Sequence, residues 1–165
     1  MAPRMPGSVL FCCDHNAVRS PMAEGMMKKF YGRRVFVQSA GVKSDLEVDG
    51  FSVAVAAEIG VALARHHARS FTEMEQWGDR IDAYDLIVAL SPAAQRAALE
   101  YTRYHAIDVE YWPIFDPVGL GETREARLTA YRRARDQILS RMIERFGPPD
   151  EPDPPPPPAD RSGLE

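Results

Sequence analysis

At 165 residues, 45% of them hydrophobic and 27% charged, the chain has the size and composition of one soluble globular domain, enough to bury roughly 70% of its unfolded surface. A net charge of −4 and a pI near 5.6 give no electrostatic case for nucleic-acid binding. No apolar stretch approaches the roughly 18 residues of a membrane span, and the short run 9–13, broken by Asp14, is no signal-peptide core. No membrane association is expected, and the cytoplasm is the expected location.

Residues 8–13 form a short apolar run with the composition of a fully buried strand. Ser20 followed by Pro21 predicts a helix start, with Ser20 as N-cap. That helix should reach Tyr31 with Met22, Met26, Met27 and Phe30 on its apolar side. Residues 34–40 read as a second strand, and 51–59 as an Ala/Val-rich helix closed by Gly60. Thr72 and Glu75 fit a capping box opening a short helix to Trp77.

Residues 85–90 (D-L-I-V-A-L) are the clearest buried strand, and Ser91-Pro92 opens the next helix. Residues 107–114 read as the last strand, and 123–146 as a long closing helix. In that helix Leu128, Tyr131, Ile138, Met142 and Phe146 keep helical spacing, and Arg132, Arg133, Arg135 and Arg141 are expected on a solvated face. Strands alternating with helices predict an α/β domain with a parallel sheet, residues 1–147. Residues 148–165, with the run P-P-P-P-P, form a proline-rich tail expected to be disordered. A proline-recognition partner is the binding role open to such a tail.

The chemistry concentrates in V-L-F-C-C-D-H-N-A-V-R-S-P-M-A-E-G, residues 9–25. Its two cysteines, the only ones in the chain, are adjacent, so a disulfide between them closes almost no loop. They also lack the spacing and partners of a zinc site; no metal or cofactor is expected. A buried strand ending in Cys13, a tight loop, and a helix opening at Arg19 make an anion-binding arrangement. Loop amides and the helix N-terminus converge on a phosphate, and Arg19 adds a bidentate grip. The same field favours a thiolate at Cys13, a nucleophile. Cys12, one residue earlier on the strand, should face the other way into the core.

Set between strand and helix, C-x5-R-S-P resembles the phosphate loop of the low-molecular-weight protein tyrosine phosphatases. The resemblance extends over residues 8–146: Q-S-A-G-V from Gln38, G-V-A-L-A-R-H-H-A-R-S from Gly60, the strand 85–90 and the Asp116-Pro117 pair match further family segments. It implies a central four-stranded parallel sheet flanked by helices on both faces. It also implies a phosphate loop of Cys13, Asp14, His15, Asn16, Ala17, Val18 and Arg19. Cys13 is then the nucleophile, Arg19 the phosphate clamp and Asp116 the general acid. Ser20 would donate to the thiolate, Asn16 hold the strained turn, and His66 support Asn16. The implied reaction is hydrolysis of a phosphorylated protein side chain, phosphotyrosine first, through a phosphocysteine, releasing inorganic phosphate.

The loop departs from the family pattern in several places. Val18 replaces a second cysteine, so reversible disulfide protection of Cys13 is not expected. His15 stands where glycine is usual, which predicts either loop strain, if φ is positive there, or an added cation. Asp14 opposes a thiolate if it points inward. Ala17, Leu46 and Val118 are the substrate-pocket candidates, and the aromatic walls for phosphotyrosine are absent, which leaves phosphoarginine among the alternative substrates. Two other functions compete: an arsenate reductase using an external thiol, and a catalytically weak phosphate-binding regulatory module.

Overall fold

A computed structural model describes residues 5–150. Four strands, β1 (Ser8–Cys13), β2 (Phe36–Gly41), β3 (Leu86–Ala89) and β4 (Asp108–Tyr111), form one parallel sheet in the order β2-β1-β3-β4. The helices are α1 (Arg19–Tyr31), α2 (Gly50–Ala57), α3 (Phe71–Gln76), α4 (Pro92–Tyr101) and α5 (Arg124–Phe146), with a 3-10 turn at Ile81–Ala83.

Burial on both faces of β1 explains its unbroken apolar sequence. Val9, Phe11 and Cys13 face a core built with α1, α2 and α5. Leu10 and Cys12 face a second core with Phe71 and Met74 of α3 and Ala94 and Ala98 of α4. The expected four-stranded parallel sheet with helices on both faces is the observed architecture. No helix among the described residues is long and apolar enough to cross a membrane.

Several local expectations need correction. Ser20 is not the N-cap of α1: Val18 holds that position without a side-chain cap, and Ser20 lies in the first turn. The capping box of α3 is Ser70 with Glu73, not Thr72 with Glu75; Thr72 faces the Tyr101 hydroxyl and Glu75 accepts from Ile81 N. β4 is shorter than expected, ending at Tyr111 opposite Ala89 of β3, although Trp112 N and Ile114 N still donate to Ala89 O and Leu90 O. The arginine face of α5 is not uniformly solvated. Arg135 is buried, donating to Val55 O at 2.9 Å and to Glu58 at 2.7 Å, while Arg133 and Arg141 lie over Phe115 and Trp112. Asp150 donates its N–H to Phe30 O and pairs with Arg34; the expected tail from residue 151 onward lies outside the described residues.

Chain topology fixes where a ligand can enter. From β1 the chain moves outward to β2, then returns across β1 to β3, so the connections diverge between β1 and β3. Open α/β sheets bind ligands beyond the strands' carboxyl ends at such a point. The loop 14–18 sits there.

Candidate active site

Gly41, at the end of β2, allows the loop to lie against the sheet. A Cβ on it would fall 2.7 Å from Asn16 N and 2.8 Å from the His15 carbonyl carbon, both backbone atoms. The loop is tied to the segment after β2 by Val42 N to Cys13 O (3.0 Å) and Lys43 N to Asp14 O (2.9 Å). Its one strained residue is Asn16, with φ of 54°, the only positive φ at a non-glycine among the described residues. His15 therefore carries no such strain. Its Nδ1 lies 2.7 Å from Asp45 Oδ1, and that bond holds the Asp45 carboxyl below its ordinary range.

Asn16 is fully buried, and its bonds orient the site. Arg69 N–H donates to Asn16 Oδ1 at 3.0 Å, which fixes which end of the amide is oxygen. The amide nitrogen then donates to Ser20 Oγ and Ser39 Oγ, each at 2.9 Å. With its oxygen accepting from Asn16, Ser20 turns its proton toward Cys13 Sγ, 2.9 Å away. Ser20 N–H also points at that sulfur, at 3.4 Å. Ser39 Oγ–H donates in turn to Glu24 Oε1 at 2.5 Å. Two donors therefore converge on the sulfur at the open N-terminus of α1, an arrangement that stabilises negative charge.

His66 Nε2 lies 3.1 Å from both Asn16 O and Asn16 Oδ1, so a proton on that nitrogen serves both acceptors. Burial, partly opposed by Glu24, lowers the histidine below its ordinary value. His67 is exposed. Cys12 is on the other face, its sulfur 3.6 Å from Val88 O. Burial, then the neighbouring Cys13, pushes its thiol well above the ordinary range.

Arg19 is 7% exposed. Its Nη1 donates to Ile114 O at 3.1 Å and Leu90 O at 3.4 Å, carbonyls just past β4 and β3. Its Nη2 faces the cavity, 3.7 Å from Asp14 Oδ2 and 3.9 Å from Asp116 Oδ2. Asp14 also accepts from Ser91 Oγ at 2.6 Å. Asp116 accepts from Val118 N at 3.1 Å.

These groups surround a cavity of about 290 Å³ whose lining includes Cys13, Asp14, His15, Arg19, Asp116 and the candidates Ala17, Leu46 and Val118. Asn16, Ser20 and His66 stand behind the loop. Sequence reasoning missed Glu47 and Asp49, which also line the cavity. Asp49 caps α2 by accepting from Phe51 N at 2.8 Å, accepts from the Tyr131 hydroxyl at 2.7 Å, and donates its own N–H to Ala17 O at 2.9 Å. Burial and then Asp49 raise the Tyr131 phenol. An aspartate before the helical 51–59 pattern is a cap signal; nothing local marks Tyr131 as its partner.

A cysteine and an arginine bracketing a tight loop at the switch point of a parallel sheet, both facing one cavity, define a class of α/β proteins. Within it, the chain belongs to the low molecular weight phosphotyrosine protein phosphatase family, whose profile matches residues 8–144. An arsenate reductase of Halalkalibacterium halodurans is 32% identical over 145 residues, covering 81% of this chain and 91% of that protein. Among solved structures, an arsenate reductase of Archaeoglobus fulgidus is 28% identical with a TM-score of 0.63, covering 84% and 98% of the two chains. The Erwinia amylovora tyrosine phosphatase amsI shares the fold at 23% identity and a TM-score of 0.60, covering 83% and 93%.

Proposed function

We propose that the chain is a phosphomonoesterase acting on a phosphorylated protein side chain through a phosphocysteine. Cys13 Sγ attacks phosphorus in line, and the P–O bond to the leaving group breaks as the S–P bond forms. Arg19 Nη2 and the loop amides take the equatorial oxygens. Asp116 protonates the leaving oxygen, then takes a proton from the water that attacks the phosphocysteine, releasing inorganic phosphate and free thiolate. The observation that carries this reading is the oriented chain from Arg69 N–H through Asn16 and Ser20 to the sulfur. It supplies charge stabilisation where a thiolate nucleophile needs it. Leu46 and Val118 at the cavity give aliphatic rather than aromatic walls, which favours a substrate range wider than phosphotyrosine.

Arsenate reduction is the second reading, favoured by the names of the relatives. It meets an obstacle in this chain: no cysteine follows Cys13 in the sequence, and Cys12 is buried on the opposite face. An external thiol must then release the arsenylated cysteine. Turnover of p-nitrophenyl phosphate, alongside arsenate with glutathione or thioredoxin, separates the readings. The phosphatase reading expects phosphate release that disappears in Cys13→Ser. Thiol-dependent arsenite formation with no phosphate release contradicts it, and vanadate binding without turnover of either substrate leaves a binding module.

A further inference from the structure

Apart from Arg19 and the loop amides, the charged side chains that line the cavity are mostly carboxylates, the wrong sign for a bare phosphoryl dianion. Asp14, Glu47, Asp49 and Asp116 all line it, and the His15 ring is paired with Asp45. Asp49 is occupied by the bonds described above and Asp116 is the proposed general acid, which leaves Asp14 and Glu47 without a step in the reaction. Ser91 Oγ accepts the Ala94 N–H as the cap of α4, so its proton is turned to Asp14 Oδ1. Asp14 is thereby held with Oδ2 3.7 Å from Arg19 Nη2, too far to bond, beside the guanidinium edge that must receive phosphoryl oxygens. Glu47 is exposed, and among the described residues no hydrogen bond or ion pair engages it.

We propose that the site selects phosphoryl groups that carry a positive charge beside them, and that Asp14 and Glu47 make the selection. The proposal rests on the phosphomonoesterase reading. A lone dianion meets attraction from Arg19 and repulsion from Asp14 and Glu47. A cation attached next to the phosphoryl turns that repulsion into attraction, while Leu46 and Val118 accommodate its aliphatic stem. Two sources supply this chemistry: a basic side chain that is itself phosphorylated, or a Lys or Arg beside a phosphorylated residue.

The test compares kcat/KM for three peptides of equal length, with p-nitrophenyl phosphate as a reference lacking any cation. One carries phosphotyrosine flanked by arginines, one phosphotyrosine flanked by glutamates, and one phosphoarginine with neutral flanks. At least one cationic peptide should exceed the glutamate-flanked one by about tenfold, an advantage that shrinks as salt rises. Asp14→Asn and Glu47→Gln should each reduce that advantage severalfold; whichever cationic peptide leads identifies the source. Equal kcat/KM across the peptides, or an advantage untouched by both substitutions, overturns the proposal. Should Asp14→Asn not fold, Glu47→Gln on the exposed rim decides. Failure of the underlying reading looks different: p-nitrophenyl phosphate itself is then not turned over.

Discussion

Asn16 uses all of its side chain's hydrogen-bonding capacity to tie the loop to its surroundings: one oxygen takes Arg69 N–H and His66, one nitrogen serves Ser20 and Ser39. Because Asn16 and Ser20 act in one chain, Asn16→Ala and Ser20→Ala should lower kcat non-additively; fully additive losses in a double-mutant cycle contradict the relay. Asp116→Ala should slow turnover by roughly 10²–10⁴-fold, the usual worth of a positioned general acid. His66 supplies a pH test of folding. Burial sets its folded pKa below the ordinary 6.5, so on acidification the unfolded chain takes up the proton first. Its contribution is intact above about pH 6.5 and declines as pH falls toward the folded value. The His66→Gln protein should show a shallower loss of unfolding free energy between pH 7 and 5. Equal slopes contradict the placement of His66.

Gly41 and the helix starts show how elements and site constrain each other. Gly41→Ala drives a Cβ into the loop backbone and should destabilise the fold by about 1–3 kcal/mol, with loss of activity; a variant with unchanged Tm and kcat argues against that packing. Much at this scale was legible in advance: each buried strand, the helix start at Ser91-Pro92 and the cysteine-to-arginine loop have local signatures. The misses have physical causes. Ser20-Pro21 has the chemistry of a cap, but the Ser20 hydroxyl is drawn to the Cys13 sulfur instead. Both Ser70/Glu73 and Thr72/Glu75 fit a capping box, and the burial of Phe71 and Met74 decides between them. Asp49 with Tyr131 joins residues 82 positions apart, a distance over which sequence pattern carries no signal.

Across the whole molecule, α5 closes one face of the sheet and is latched to α2 through Glu58, which bonds Arg132 and Arg135. Arg132 and then Arg135 hold the Glu58 carboxyl at about 2. Stability from this latch is present above the ordinary value near 4.5 and is lost as pH falls toward 2. Glu58→Gln should flatten that acid limb, and an unaltered limb contradicts the latch. The same closed face carries Tyr131 to Asp49, and Asp49 to the loop, so the α5 packing and the candidate active site form one unit. What that unit is built to do comes down to whether Cys13 becomes phosphorylated during turnover. Rapid acid quench of the protein reacting with p-nitrophenyl phosphate, followed by peptide mass spectrometry, reads this. A phosphate adduct on Cys13, formed and consumed at rates that match turnover and absent from Cys13→Ser, is the expected result. Steady phosphate release with no adduct at Cys13, or undiminished release by Cys13→Ser, contradicts the mechanism.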